Sequence, residues 1–149
     1  MPTILVPLDS SEIAAKVLLV AEALASKLQS KLLLYHVIEP VTTPVPMGAS
    51  LEILSTSPAS LDLEQTESAR RRLEELAAPL RARGLDVDCE ASFGIPVNEI
   101  IDVAGTQAVD YIVLGSHGRG ALFHLFAGSV VTGVLKQSPC PVVVVPARK

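Results

Sequence analysis

The chain has 149 residues, 49% of them hydrophobic but only 3% aromatic, and a formal net charge of −4. This length can bury a core for one domain without disulfides or a structural metal, and a core of small aliphatic residues favours α/β architecture. The one basic run, Arg70, Arg71 and Arg72, is followed by Glu74 and Glu75, which predicts a solvated, ion-paired helix face rather than a nucleic-acid surface.

The spacing of the cysteines and the lengths of the apolar runs indicate where the chain is located. Cys89 and Cys140 stand far apart, without the spacing of a metal or redox pair, so we expect both to be buried as small hydrophobes. No apolar run approaches the about 18 residues that a bilayer span needs, and no cationic leader begins the sequence. We therefore expect a cytoplasmic, soluble protein with no membrane partner.

A strand and a helix are predicted first. Residues 3–7 form an apolar run too short for a helix, which predicts a buried strand. The capping pattern of Asp9 or Ser10 with Glu12 predicts that a helix begins there. Apolar residues at three- and four-residue spacing predict that this helix packs on a sheet, and they are Ile13, Val17, Val20, Ala21, Leu24 and Leu28.

A second strand and a long irregular segment follow. Residues 31–37 are nearly all apolar, as expected when both faces of a parallel sheet are covered. From Ile38 to about Leu61 the periodicity disappears, and four prolines interrupt the segment. Because the α/β pattern resumes afterwards, we expect one domain over residues 1–149, with a mobile or disordered flap at about 38–61.

The second helix is predicted over residues 62–83, ending at Gly84. Pro79 lacks an N–H group and clashes with the preceding turn, so we expect a kink or a break near Ala78. The apolar stripe of this helix is Leu63, Leu73, Leu76, Ala77 and Leu80. The elements predicted after it are an edge strand at 85–93, a helix from Pro96, a buried strand at 110–115, a helix from Gly128 or Ser129 and a strand at 142–145.

This alternation predicts an α/β fold, a doubly wound five-stranded parallel sheet with helices on both faces. We expect the strand order 3-2-1-4-5. Ligands of such sheets bind beyond the carboxyl ends of the strands, where the winding reverses direction. With the first and fourth strands adjacent, Pro7, Asp9 and the loop after Gly115 would line one crevice.

The loop after the fourth strand is rich in glycine: Gly115, two residues, Gly118, nine residues, then Gly128 and Ser129. Glycine lets backbone N–H groups approach an anion, and a helix N-terminus carries partial positive charge. The loop therefore predicts a phosphate site and a nucleotide ligand. A P-loop is excluded by the sequence after Arg119, and a dinucleotide fingerprint is excluded because no glycine follows the first strand.

The loop spacing resembles that of the ATP-binding members of the universal stress protein family. The resemblance extends over nearly the whole chain, with the flap excepted, and includes Ile-Leu-Val-Pro-Leu-Asp at 4–9, Leu-Tyr-His-Val at 34–37, Gly-Ser-His-Gly-Arg-Gly at 115–120 and Ser-Pro-Cys-Pro-Val-Val-Val-Val at 138–145. It implies an adenine nucleotide alpha hydrolase-like fold, ATP as the ligand with magnesium or manganese, and a homodimer.

The resemblance also implies roles for single residues. Pro7 and Asp9 would border the adenosine, the Val37 backbone would contact the adenine edge, and Gly115 would lie close to the ribose. Residues of the glycine-rich loop and of the helix start after it would bind the phosphates. The remaining residues of the expected binding set are Ser116, His117, Gly118, Arg119, Gly128, Ser129 and the Val130 amide. Val131 departs from the pattern, since some ATP-binding relatives have Thr there.

Simpler explanations exist for several of these residues. Asp9 and Ser129 could serve only as helix caps. His117 has no partner at the spacing of a catalytic triad, and His36 and His124 have no metal-ligand spacing. We therefore predict no catalytic residue and no metal ligand.

The leading hypothesis is an ATP-binding regulatory protein in which the nucleotide orders the glycine loop. One alternative is a slow ATP hydrolase or phosphotransferase, although the chain offers no clear base and no carboxylate pair for magnesium. Another is a nucleotide-free dimeric interaction module, against which the loop glycines argue. We expect antiparallel pairing of residues 142–145 across a two-fold axis, because an exposed valine edge would otherwise aggregate.

Overall fold

The computed structural model describes residues 1–9, 13–40, 58–116 and 129–147, and the centre of the predicted flap lies outside them. None of the described helices is long and apolar enough to cross a bilayer. In chain order the elements are β1 (Thr3–Pro7), α1 (Ala14–Leu28), β2 (Lys31–Ile38), α2 (Pro58–Ala82), β3 (Val87–Phe93), α3 (Pro96–Thr106), β4 (Tyr111–Gly115), α4 (Ser129–Gln137) and β5 (Val142–Val145).

The five strands form one parallel sheet in the order β3-β2-β1-β4-β5, so the predicted fold class and strand order are confirmed. The central strand β1 has a neighbour on each side, and the side chains of Ile4, Leu5 and Val6 are 0% exposed. Such complete burial explains why the run is apolar without alternation.

Two core clusters lie on opposite faces of the sheet, because successive side chains of a strand alternate between the faces. Ile4, Val6 and Leu34 pack under α1 and α2 in the first cluster. Leu5, Leu33 and Ile112 pack under α3 and α4 in the second. The predicted coverage of both faces is therefore confirmed.

Helix α1 begins later than the sequence predicts. Its first residue is Ala14, and Ile13 before it makes no side-chain capping bond. The helix starts where the apolar stripe meets the sheet, since Ile13 packs against the first core cluster. The prediction of a start at Asp9 or Ser10 is thus wrong, and two of the predicted capping residues, Ser10 and Glu12, lie outside the described residues.

Helix α2 begins earlier than predicted, at Pro58, since proline is tolerated in a first turn. Its 25 residues span about 37 Å, whereas the seven residues of β3 span about 23 Å. The helix therefore outreaches the sheet. Leu63, which was predicted to belong to the apolar stripe, is 66% exposed for this reason, and Leu76 is 39% exposed.

Pro79 does not break α2, which continues to Ala82. Leu80 is 3% exposed, so packing holds the turn around the proline. Arg81 adds two hydrogen bonds, from Nε and Nη2 to the carbonyl of Val87. These contacts outweigh the missing amide of Pro79, and the predicted break near Ala78 is wrong.

The two cysteines differ in burial. Cys89 is buried in β3, where burial above all, and then the nearby Glu74 carboxylate, raise the pKa of its thiol to about 11. Cys140 is only half-buried and lies in the turn before β5, not in a strand. Its backbone is held by Ser138, whose Oγ donates to Cys140 O at 2.6 Å. The prediction of a buried cysteine is confirmed for Cys89 and wrong for Cys140.

Candidate functional site

The winding of the sheet reverses between β1 and β4, which are neighbours. In their ladder Ile4 lies opposite Tyr111 and Leu5 lies opposite Ile112. Continuing this register by three residues puts Leu8 level with Gly115. Pro7, Asp9 and Gly115 are thus brought to the same edge of the sheet, where ligands of doubly wound folds bind.

Strand β2 extends further than β1 at this edge. The β1–β2 ladder ends at Pro7 and Tyr35, and one more bond follows, from Leu8 N–H to Tyr35 O at 2.8 Å. On its other side β2 continues with β3 as far as Gly94 N–H, which bonds Ile38 O at 3.1 Å. Since the peptide groups of successive residues point to opposite sides of a strand, those of Val37 point towards β1, past its last residue.

His36 fixes the chain just before Asp9, a role that sequence reasoning missed. Its Nδ1 lies 2.7 Å from the carbonyl oxygen of Leu8. A carbonyl oxygen can only accept, so Nδ1 carries the hydrogen and donates it. A polar residue near the end of an otherwise apolar strand is the sequence signal that could have indicated this contact.

Gly115 has a structural reason to be glycine. A Cβ at this position would lie 3.1 Å from Ile13 Cδ1 and 3.3 Å from Val17 Cγ2. The first turn of α1 therefore approaches the end of β4 closely because no side chain stands between them. This packing brings the start of α1 to the edge of the crevice.

Ser116 is bound to the segment that follows β5. Its N–H donates to Val145 O at 2.8 Å, and its Oγ accepts the N–H of Ala147 at 3.1 Å. Lys16 of α1 donates from Nζ to Pro146 O at 2.7 Å. We refer to residues 145–147 as the strap, because they connect β5 to both the end of β4 and to α1.

Much of the predicted phosphate loop lies outside the described residues. This applies to His117, Gly118, Arg119 and Gly128. After the loop, α4 begins at Ser129 and carries Val130 against the second core cluster. Because α4 connects two parallel strands, its N-terminus lies at the carboxyl edge of the sheet.

A second feature at this edge is an open pocket of about 350 Å³ between β2 and α2, lined by His36, Ile38, Glu64, Gln65, Ser68 and Arg72. Arg72 belongs to the basic run for which ion pairs were predicted. Among the described residues, Glu74 pairs with Arg81 instead, and Arg81 lowers the pKa of Glu74 through their hydrogen bond. The same described residues contain no group of three His, Cys, Asp or Glu side chains placed to hold a metal ion.

A partly buried chain of polar side chains supports the β3–α3 turn. The Tyr35 hydroxyl bonds Ser92 Oγ, which also lies 3.4 Å from Glu99 Oε2. Burial is the main cause that raises the pKa of Tyr35. Gly94, at φ 153°, leaves room for Glu99, whose Oε1 would lie 2.5 Å from a Cβ at that position.

Comparison with known sequences decides the family. The sequence profile described as "Universal stress protein family" matches residues 1–146. The chain belongs to the universal stress protein family. A family member from Thermus aquaticus is 33% identical over 143 residues, which cover 96% of this chain and 97% of that protein. Universal stress protein MJ0577 of Methanocaldococcus jannaschii is 39% identical over 80 residues, which are 54% of this chain and only 49% of MJ0577.

Solved structures of universal stress proteins share the whole fold. The structure of MJ0577 superimposes with a TM-score of 0.81 at 30% identity, over 99% of this chain and 97% of the other. A universal stress protein in complex with cAMP has a TM-score of 0.65 at 20% identity, over 99% and 98% of the two chains. A third, from Archaeoglobus fulgidus in complex with dAMP, has a TM-score of 0.63 at 20% identity, over 97% of each chain.

Proposed function

We propose that this universal stress protein binds an adenine nucleotide, above all ATP, at the carboxyl edge between β1 and β4, and regulates a stress response according to nucleotide occupancy. The observation that carries the proposal is the position of Val37. Its peptide N–H and C=O point past the end of β1 into the crevice. A donor and an acceptor so close together can bind the edge of a nucleobase, which offers both.

Further contacts are expected from Asp9 and from the loop that follows Gly115. Asp9 follows the segment that His36 holds, and its carboxylate can accept hydrogen bonds from ribose hydroxyls. The glycine-rich sequence after Gly115 and the N-terminus of α4 together supply backbone donors of the kind that bind phosphates. Magnesium or manganese would be held mainly by the phosphate oxygens and would neutralise their charge.

The relatives support an adenine nucleotide as the ligand class. Two proteins of the same fold were solved as complexes with cAMP and dAMP. Both ligands contain the adenine ring and one phosphate; dAMP lacks the 2′-hydroxyl of the sugar, and the phosphate of cAMP is cyclic. ATP therefore needs a direct comparison with AMP, cAMP and dAMP on this chain.

Isothermal titration calorimetry tests the proposal. We expect saturable binding of ATP with magnesium, one nucleotide per chain, and weaker binding of AMP, cAMP and dAMP because they offer fewer phosphate oxygens to the loop. A chelator should weaken ATP binding without affecting AMP. Absence of heat at millimolar nucleotide would leave the nucleotide-free interaction module as the better explanation.

Glycine substitutions give a matched pair of variants. Gly118→Val and Gly128→Val should abolish ATP binding, because a side chain would block the approach of backbone amides to phosphate. Gly105→Val is the control, since a Cβ at Gly105 in α3 meets nothing within 4 Å. All three proteins should unfold cooperatively in urea. Equal affinity of the loop variants and the control would refute the phosphate site.

We further propose that β5 pairs with the same strand of a second copy to form a homodimer. In a parallel ladder Val143 and Val145 point their peptide groups to β4, so those of Val142 and Val144 point outward. Leu135, on the neighbouring helix α4, is 54% exposed. Within the described ranges nothing bonds these outward groups, and free strand edges beside apolar side chains favour pairing with another strand. The cytoplasmic location stays a prediction from the sequence.

A further inference from the structure

Ser116 makes two hydrogen bonds to the strap, and Lys16 of α1 makes a third. The bond from its N–H to Val145 O continues the β4–β5 ladder by one residue. The bond from Ala147 N–H to Ser116 Oγ depends on the side chain alone. Removing the hydroxyl therefore deletes one defined contact and leaves the backbone bond in place.

The hydroxyl of Ser116 has a second capacity. Its oxygen accepts from Ala147, and a serine hydroxyl can donate its own hydrogen at the same time; none of the described residues accepts that hydrogen. Ser116 lies at the carboxyl edge, directly after Gly115 and at the start of the glycine-rich sequence. A nucleotide oxygen that accepts this hydrogen would fix the rotation of the hydroxyl and polarise its oxygen, which strengthens the bond to Ala147.

We propose that Ser116 is a positioning residue that couples nucleotide in the crevice to the strap, and through it to the outer strand β5. This inference rests on the proposed nucleotide site. Coupling between two sites is reciprocal, so the nucleotide slows opening of the strap, and loss of the strap bond weakens nucleotide binding. Lys16 contributes the third bond, and its charge lies beside the same edge.

Amide hydrogen exchange combined with calorimetry tests the coupling. In the unchanged protein, ATP with magnesium should slow exchange at Ala147. In Ser116→Ala the amide proton of Ala147 should exchange rapidly with or without nucleotide. This variant should also bind ATP about three- to tenfold more weakly, the effect of one hydrogen bond. Ser116→Thr keeps the hydroxyl and should restore both properties.

Ser138→Ala is the matched control. Ser138 Oγ donates to Cys140 O and accepts Cys140 N–H at 3.2 Å, so it holds the opposite end of β5 in the same manner. This variant should change exchange at Cys140 and leave ATP affinity unaltered.

The outcomes separate the two proposals. ATP binding with no change of exchange at Ala147, or a nucleotide-dependent change that persists in Ser116→Ala, would overturn the coupling and keep the nucleotide site. Absence of ATP binding by the unchanged protein would overturn both. An exchange rate at Ala147 that is the same in Ser116→Ala and the nucleotide-free protein would show that the strap bond itself is not formed.

Discussion

The two outer strands of the sheet, β3 and β5, differ in how their free edges are protected. In β3 the carbonyl of Asp86 bonds Leu32 N–H, so the next carbonyl, that of Val87, points to the open edge, where Arg81 donates to it twice. Strand β3 also carries Asp88 and Glu90, whereas β5 consists of four valines. Charges and a capping side chain block strand pairing at an edge, and uncharged valines do not.

This difference relates the edges to the candidate site. The β3 edge is protected by Arg81, which covers an outward carbonyl, and by the charged side chains of Asp88 and Glu90. At the β5 edge none of the described residues bonds the outward backbone groups of Val142 and Val144, and the carboxyl end of β5 is the strap that Ser116 and Lys16 hold at the crevice. If the proposed nucleotide site and β5 dimer both form, one edge of the sheet serves stability and the other links the crevice to a second copy.

The largest effect is expected on the oligomeric state, when an outward backbone N–H is removed from β5 but not when one is removed from β3. Val144→Pro deletes an N–H that points away from β4, so the monomer should fold. In the dimer each copy would leave one acceptor unpaired, at about 1–3 kcal/mol for each of the two, so the dissociation constant should increase by about 30-fold to 10,000-fold. Light scattering should give the mass of a monomer.

Ala91→Pro makes the same change at the β3 edge, since Ala91 also points its N–H outward. Its mass should equal that of the unchanged protein. If the unchanged protein is itself a monomer at working concentration, or if Val144→Pro remains a dimer, pairing through β5 is refuted.

The next largest effect is expected in the rates at which a thiol reagent labels the cysteines near the two edges. Cys140, half-buried before β5, should react with a thiol reagent at pH 8, whereas Cys89 in β3 should react at least about 100-fold more slowly because it must first be exposed by opening. Cys140→Ser and Cys89→Ser identify each signal by mass spectrometry. Equal rates would show that the β3 edge opens as readily as β5.

The same thiol predicts a pH dependence. Burial raises the pKa of Cys89 to about 11 from its ordinary value of 9.0, so the folded protein favours the protonated form. Its contribution to stability is complete below pH 9.0 and is lost as pH rises to about 11. Urea unfolding from pH 8 to 11 should show a decrease in stability that is smaller in Cys89→Ala, in which only groups such as Tyr35 and Lys31 still titrate; the same decrease in both proteins would contradict the assignment.

Both edges and the strand order could be predicted from the sequence, because they follow from local patterns. The alternation around Cys89 marks a strand with one wet face, and the unbroken valines mark β5. The crevice could be predicted as well, since the order of parallel elements determines where β1 and β4 end.

Contacts between elements distant in sequence could not be predicted. The length of α2, the tolerance of Pro79 and the bonds from His36 to Leu8 and from Ser116 to Ala147 depend on which side chains meet across the fold. No local sequence pattern predicts such long-range contacts. The same limit applies to Arg81, whose sequence position indicates only a charged residue near a helix end.

Truncating Arg81 should destabilise the β3 edge by a moderate amount. Arg81→Ala leaves the outward carbonyl of Val87 without its donor and removes the pair with Glu74, so we expect the free energy of unfolding to fall by about 1–3 kcal/mol. Arg83→Ala is the control, because Arg83 pairs with Glu22 in solvent, where an ion pair contributes little to stability, and does not cover an edge carbonyl. Equal losses in urea unfolding would mean that covering the edge carbonyl contributes nothing.

The smallest effect is expected at the ion pair of Lys31 with Asp88, which joins β2 to β3. The hydrogen bond to Asp88 is the main cause that raises the pKa of Lys31, so the pair contributes below the ordinary value of 10.5 and is lost as pH rises past it. Because both side chains are partly exposed, Asp88→Asn should cost less than about 1 kcal/mol in urea unfolding at neutral pH. The variant also removes a charge from the β3 edge. A dimer of dimers in light scattering would show that this charge, and not Arg81 alone, keeps β3 unpaired; an unchanged mass would assign the closure to the capped carbonyl.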